Sequence, residues 1–509
     1  MIRGRPRVLV ASVVVMAGCR GSAPARVEPA PPPTLPVITP PVARVWSPRE
    51  EFVRFADSLV QQPAFRTALW GVLVVDPVSA DTIYAHNADK LFLPASNQKL
   101  VTGAAALTVL GTSHRFTTSF AHEGIVRRGV LRGNVVVSAD GDPSISAVAQ
   151  GGDALRAFDP LVAALRERGI RRIEGAFVVP FDALPGPTIG SAWEADDLDG
   201  TSGAAIDELF FNEGEFTLQV RAGARAGARA VASTAPLSAY PRVRVTARTA
   251  TGPVDRDALE VGWDSTGATM EVRGEIAPGT ERRLFLAYRH PADAWRAAAT
   301  EALRRAGITI TGRHSRVSTG TPVVLASVTP LPFADVLRRM EKPSQNQLAE
   351  ILYRTVGRAR TGSALPDSAQ RAVERQLAEW GVPSDHAAIR DGSGLSRHNY
   401  LTPTAIVRVL DVMRRREDFP VFYDALPIAG RDGTIANRMK GTPAEANVRA
   451  KTGTLDKARA LSGYVTAPDG RLLLFSMLCN NWTTPVREVE RVQDAIAARL
   501  AVLRLDRRE

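Results

Sequence analysis

The sequence predicts a mixed α/β (α+β) protein in which an antiparallel sheet flanked by helices is interrupted by a large β-rich insertion. Three observations predict it. Strand-like runs joined by turn signals lie near both ends of the folded part, at Trp70 to Val75 with Thr82 to Ala85 and at Leu461 to Ala467 with Arg471 to Leu478. Runs with helical apolar spacing stand beside both pairs. Between them, from about residue 115 to 325, short β-type alternations recur. The chain has 509 residues, 45% hydrophobic and 23% charged, enough for a large core and too long for one ordinary domain. That excludes a peptide, a tail or a disordered regulator. The formal charge of +11 comes mostly from Arg spread over the whole length. With no Lys/Arg block, no nucleic-acid partner is expected.

At the N-terminus, Arg3, Arg5 and Arg7 precede an apolar stretch from Val8 to Met16 that is too short to span a bilayer, and Met16-Ala17-Gly18-Cys19 brings small residues up to a cysteine. This resembles a bacterial lipoprotein signal: residues 1–18 would be removed and Cys19 would carry the lipid, making a membrane the partner of the mature N-terminus. An ordinary secretory signal cut nearby is the plainer alternative. Both place the mature protein outside the cytoplasm, in the cell envelope or periplasm. Residues 19–47 are rich in proline and read as a semi-rigid tether, reaching several tens of Å at about 3.1 Å per residue. Two cysteines are too few for a disulfide framework, and Cys479, in the apolar run from Leu472, reads as a buried apolar residue.

The folded part opens on a capping box, with Ser47 as N-cap, Pro48 at N1 and Glu50 at N3. After the first two strands, Pro94-Ala95-Ser96-Asn97-Gln98-Lys99 opens a helix whose apolar face runs through Leu100, Ala104, Leu107 and Leu110, with Gly111 as its stop. Strand patterns follow at Val135 to Val137, Phe177 to Val179, Phe216 to Val220 and Arg242 to Val245, with helices at Pro160 to Arg168 and Asp293 to Ala306. The Ala-Gly-Ala-Arg repeat between Arg221 and Ala232 reads as a loop. Asp469-Gly470 is a hairpin turn signal, and Val486, Val489, Val492, Ile496 and Leu500 mark a closing helix that would cover one face of that hairpin.

Only six lysines occur, so a lysine in a chemical pattern is informative. Ser96 and Lys99 are one helical turn apart, which lets the amine reach the hydroxyl at a helix N-terminus, where backbone NH groups favour developing negative charge. A lysine whose pKa is depressed by burial and a nearby cation can activate such a serine. A lone Ser-x-x-Lys is more often a surface helix with a solvated lysine. Lys451-Thr452-Gly453-Thr454 precedes the terminal hairpin and so sits on a strand of an antiparallel sheet. There the ammonium and hydroxyls suit a carboxylate, and Gly453 would let a substrate backbone approach closely. The plainer alternative is a sheet-edge charge with turn residues. Ser344-Gln345-Asn346 starts an amphipathic helix and alone would be an N-cap.

Together and in this order the three patterns are specific. They resemble the signature of the penicilloyl serine transferases, and more closely that of the D-alanyl-D-alanine carboxypeptidase/endopeptidase family of the penicillin-binding protein 4 type, peptidase family S13. The resemblance runs from about residue 48 to 500. It includes Leu93 to Lys99, Gly141-Asp142-Pro143-Ser144, Asp391 to Arg397, Leu426 to Thr434 and Ala450 to Leu455. Gln345 departs from the commoner Asp of the second motif. Ser96 and Ser344 are 248 positions apart, more than a compact hydrolase needs between two walls of one cleft. Domains inserted at this point are a feature of the family, which implies a penicillin-binding transpeptidase/β-lactamase-like domain at 48–114 and 326–509 and inserted domain(s) at 115–325.

The resemblance implies a serine-type carboxypeptidase acting on peptidoglycan stem peptides that end in D-Ala-D-Ala, with DD-endopeptidase action also in its range and β-lactams as inhibitors. Ser96 would attack the carbonyl between the two D-alanines while Lys99, beside cationic Lys451, takes the proton. NH groups of Ser96 and Thr454 would form the oxyanion hole. Ser344 would relay a proton to the departing amine and Asn346 would hold the peptide amide. Lys451, Thr452 and Thr454 would bind the terminal carboxylate, and water would release the acyl group. No cofactor or metal is expected; the seven histidines form no HExxH-type set. A serine β-lactamase would share the motifs but usually adds a deacylating Glu-x-x-Leu-Asn run, absent here, and a non-catalytic wall-binding protein is the third reading. In the family the inserted part reads the diamino acid at the third stem position. Asp142 is the candidate for that contact if its turn presents the carboxylate to solvent, and caps its own turn otherwise.

Overall fold

Ser47 starts the folded body. In the computed structural model its hydroxyl accepts from Glu50 N at 3.3 Å, the Glu50 carboxylate accepts from Ser47 N at 2.9 Å, and the helix Pro48–Val60 follows. The structure describes residues 11–15, 17–18, 46–312 and 320–505. Of the leader expected at 1–18 and the tether expected at 19–47, residues 1–10, 16 and 19–45, Cys19 among them, lie outside the described residues. Among those that are described, no helix is long and apolar enough to cross a membrane.

The two strand pairs predicted at opposite ends of the chain join in one sheet. Its order is Asp81–His86, Leu69–Asp76, Leu472–Asn480, Ala458–Thr466 and Arg449–Leu455, antiparallel throughout. Both faces are covered. Val72, Val74, Leu461, Val465, Phe475 and Met477 point into a core closed by the first helix and by the last, Val486–Leu500. Leu73, Ala460, Tyr464, Leu474 and Leu478, one position out of phase along each strand, enter a second core built by the helical layer. Cys479 is fully buried on the first face.

The helix Gln98–Leu110 departs from the expected one-sided pattern, being buried on every side from Gln98 to Leu107. The helices Phe333–Glu341, Asn346–Thr361, Pro366–Glu379 and Pro403–Arg414 all touch it. Gly103 and Ala104 to Ala106 are small enough to let them approach. Gly111 ends it at φ 75°, as expected.

Strands between Thr118 and Ser327 pair only with one another. They form four small sheets around a third core, in which Trp295 of the helix Pro291–Arg305 is ringed by Phe120, Phe158 and Phe177. The Ala-Gly-Ala-Arg stretch is the loop of a hairpin formed by Glu215–Arg221 and Val231–Ala235.

Candidate active site

Ser96 lies in the single 3-10 turn Ala95–Asn97 that leads directly into the buried helix, so its hydroxyl stands at the positive end of the helix dipole. Ala95 holds a left-handed φ of 48°. The strain, on the order of 1 kcal/mol or more, is held by close neighbours on both sides. A Cβ on Gly453 would stand 2.5 Å from Pro94 O, and one on Gly394, itself at φ 84°, would overlap Ala95 O. The backbone that Gly453 admits is therefore the protein's own Pro94-Ala95, where a substrate backbone was expected.

Lys99 is fully buried beneath the half-buried Ser96. Its Nζ lies 2.9 Å from Ser96 Oγ and donates to Asn346 Oδ1 at 2.6 Å and to the main-chain oxygen of Ser393 at 2.8 Å. Burial first, and the nearby charge of Lys451 second, push its pKa down to about 7. Near neutral pH a substantial fraction of the amine carries a free lone pair.

Lys451 sits on the edge strand, also fully buried, and its Nζ bonds Ser344 Oγ at 2.8 Å and Thr452 O at 3.1 Å. Burial lowers its pKa. Asn97 Nδ2 donates to Lys451 O at 2.9 Å, tying this strand to the Ser96 turn. Thr452 Oγ bonds Thr434 Oγ at 2.7 Å, while Thr454 faces solvent with its hydroxyl against Arg459.

Ser344 has φ 68°, a left-handed turn that aims its hydroxyl at Lys451 ahead of the helix Asn346–Thr361. Gln345 makes that turn possible. Its Oε1 caps Leu348 N at 2.7 Å, and its Nε2 donates to Glu213 O at 2.8 Å and Gln347 Oε1 at 2.6 Å. The N-cap is thus Gln345, and its longer side chain reaches Glu213, in the part of the chain between Thr118 and Ser327. Asn346 is held at both ends, by Lys99 on Oδ1 and by a bond from Nδ2 to Ser202 O at 2.8 Å.

Eight of the residues singled out in the sequence thus meet across three elements: Ser96 and Lys99, Ser344 and Asn346, and Lys451 through Thr454. Asp142 does not join them, and its expected presentation to solvent is corrected. The side chain is buried, and Oδ1 accepts from Ser144 N at 2.8 Å. Burial pushes the carboxyl up to about 6. The reason is tertiary: Gly141 N donates to Glu208 O, and Gly141 packs on Ile351, so the turn faces inward. The turn-capping alternative describes this geometry. Cys19 lies outside the described residues.

Sequence reasoning missed Glu350 and the segment from Trp193 to Ser202, and named the Asp391 to Arg397 run without giving it a task. Glu350 is buried and accepts from Gly392 N at 3.0 Å and Ser393 N at 2.7 Å, fixing the loop whose Ser393 carbonyl holds Lys99. Its spacing of four from Asn346, one face of one helix, was the available signal. Asp391 accepts from Gly394 N at 2.8 Å, Ser396 N at 2.6 Å and Trp193 Nε1 at 2.9 Å. Trp193 opens a strap across the cleft: Arg397 binds Glu194 at 2.7 Å and Asp197 at 2.9 Å, and Ser202 meets Asn346. Nothing local in the sequence pairs positions some two hundred apart.

A helix-start hydroxyl beside a buried, easily deprotonated lysine, with an ammonium and hydroxyls on a facing sheet edge, defines a serine hydrolase that works through an acyl-enzyme. Residues 54–503 match the D-Ala-D-Ala carboxypeptidase 3 (S13) family, and the chain belongs to that family. It is 32% identical to the D-alanyl-D-alanine carboxypeptidase of Actinomadura sp. strain R39, over 90% of this chain and 85% of that one. It is 28% identical to the D-alanyl-D-alanine carboxypeptidase DacB of Haemophilus influenzae, over 78% and 82%. The crystal structure of penicillin binding protein 4 (dacB) from H. influenzae superposes with a TM-score of 0.76 at 25% identity, covering 88% of this chain and 99% of that chain. The same protein complexed with a β-lactam gives 0.70 at 26% identity, with the same coverage.

Proposed function

We propose that this chain removes the terminal D-alanine from peptidoglycan stem peptides ending in D-Ala-D-Ala, by acyl transfer through Ser96. The observation that carries this is the contact of fully buried Lys99 with Ser96 Oγ at 2.9 Å, with an amine pKa down to about 7. Lys99 takes the hydroxyl proton as Ser96 Oγ attacks the carbonyl between the two D-alanines. The oxyanion develops at the helix N-terminus, where the NH groups of Ser96 and Thr454 receive it. Ser344, bonded to Lys451, relays to the departing amine the proton that Lys99 took, which leaves Lys99 neutral again and the Ser344 hydroxyl restored. Lys451 with Thr452 and Thr454 holds the terminal carboxylate, and Asn346 orients the peptide amide by exchanging its bond to Ser202 O. Water then attacks the acyl-enzyme, Lys99 again serving as base, and Ser96 is restored. A β-lactam offers a comparable carbonyl and carboxylate, so it acylates Ser96 and leaves slowly.

In this proposal residues 48–114 and 326–509 form the catalytic domain and 115–325 the inserted part. The mature protein is exported to the bacterial cell envelope and tied to a membrane by a lipid on Cys19. A contact of Asp142 with the third stem residue is left out, because its carboxyl is buried and engaged in its own turn.

Labelling with a fluorescent penicillin tests the mechanism. The parent protein should be labelled and release the label slowly, whereas Ser96→Ala should fold and take none. Labelling of that variant would refute Ser96 as nucleophile, and rapid turnover by the parent would mark a β-lactamase. Mass analysis of wall fragments digested by the enzyme separates loss of D-alanine from cutting of cross-links.

A further inference from the structure

Glu341 is a buried titratable group beside the catalytic lysines that, unlike Glu350 and Asp391, holds no main-chain NH among the described residues. It is 1% exposed, and neither carboxylate oxygen has a hydrogen-bond partner among the described residues. Three unfavourable features converge on it. An acid buried without hydrogen bonds is costly. Glu341 is the last residue of the helix Phe333–Glu341, the end at which the helix dipole opposes a negative charge. The space it fills also requires a glycine inside the central helix, where alanine would be favoured by about 1 kcal/mol: a Cβ on Gly103 would come within 2.9 Å of Glu341 Oε1. Gly103 is four residues after Lys99, on the same helical face, so the carboxylate lies along the wall from which Lys99 projects. Ser344 follows three residues after Glu341.

We propose that Glu341 is a positioning residue, the buried counter-charge that keeps Lys451 an ammonium for carboxylate binding while Lys99 works as a neutral base. The inference deepens the proposed function and rests on it. Burial pushes the Glu341 carboxyl up, and the charges of Lys451 on the edge strand and Lys99 on the central helix act against it, to keep it ionised. In return its charge favours the protonated form of each lysine. Asp391 and Glu350 act on Lys99 from its other side. The neighbouring Lys342 is engaged elsewhere, with Asp432 at 2.7 Å. A neutral Lys99, a cationic Lys451 and an anionic Glu341 sum to no net charge, the arrangement a dry interior tolerates best.

The test is the rate of acylation by fluorescent penicillin across pH in the full-length parent, Glu341→Gln, Glu341→Met and Glu341→Asp. In the parent the rate rises as Lys99 loses its proton and falls as Lys451 loses its own. Without the anion both protons leave more readily, so in the Gln and Met variants the alkaline limb should move to lower pH by about one unit, and the acid limb by less, because Glu341, raised to about 7 by burial, itself takes up a proton there. Their melting temperatures should fall at pH values where Lys451 is charged, because the buried ammonium has lost its counter-charge. Aspartate should restore most of the parent's profile. An alkaline limb that stays in place in the neutral variants, an aspartate variant shifted as far as glutamine, or neutral variants that melt above the parent near neutral pH would each overturn the proposal. A parent that is not acylated at Ser96 would instead refute the proposed function.

Discussion

Lys451 has two tasks at the residue scale, and pH separates them. Its charge is the second cause, after burial, of the low pKa of Lys99. Its ammonium is also the cation on the cleft wall that bonds Ser344. Lys451→Ala should therefore slow acylation about 10- to 100-fold through lost charge-assisted bonding to the β-lactam carboxylate. Removing a positive charge also lets Lys99 hold its proton to higher pH, so the acid limb of the rate profile should move up from its position near pH 7. Acylation rates of parent and variant measured from pH 5 to 10 check both effects. An unchanged rate and profile would reduce Lys451 to a sheet-edge charge. Ser96, Lys99 and Lys451 were legible in the sequence because each motif is local: one helical turn, or one strand of four residues. Glu350 was not, and the Asp391 to Arg397 run was legible as a motif but without a task, since Glu350 and Asp391 bond main-chain NH groups and Ser393 offers its own carbonyl.

At the scale of elements, the site is a junction of a helix start and a strand edge, and Gly453 sets how closely they meet. Gly453→Ala would place a methyl 2.5 Å from Pro94 O and about 3 Å from the Cβ atoms of Ala460 and Ala95. The Ser96 turn must then move, and a displacement near 1 Å costs on the order of 100-fold in rate. Penicillin acylation of a variant with a parental melting curve measures that loss. The strap from Trp193 to Ser202 is held by partly exposed ion pairs, Arg397 with Glu194 and Asp197. Such pairs contribute about 1 kcal/mol or less to global stability. Arg397→Ala should leave the melting temperature nearly unchanged while speeding protease cleavage between residues 190 and 203; equal cleavage rates would show that the strap is held without those pairs. The strap itself was invisible in the sequence. It contains no α-helix or strand and acquires its place only from partners far along the chain.

For the whole molecule, stability resides in three cores, two on the faces of the five-stranded sheet and one among the strands between Thr118 and Ser327. Trp295 is the largest side chain of the third, fully buried and edge-on to Phe158 and Phe177. Trp295→Ala should lower stability by about 3–5 kcal/mol, read by denaturant melts, and penicillin labelling should be lost at a lower temperature than in the parent. A shift below about 1 kcal/mol would mean that this third core relaxes around the gap. The sequence by itself determined the class of fold, the capping box at Ser47, the terminal hairpin, the Ser96 helix with its Gly111 stop and the three reactive motifs, because periodicity, capping and turn chemistry act over fewer than ten residues. Only the tertiary structure decided that the Ser96 helix is buried on every side, that Gly453 admits the protein's own chain, that Asp142 faces inward, and that Glu341 and the strap belong to the site. Those outcomes depend on which surfaces meet after hundreds of residues of chain have closed on themselves, and no local pattern records that choice.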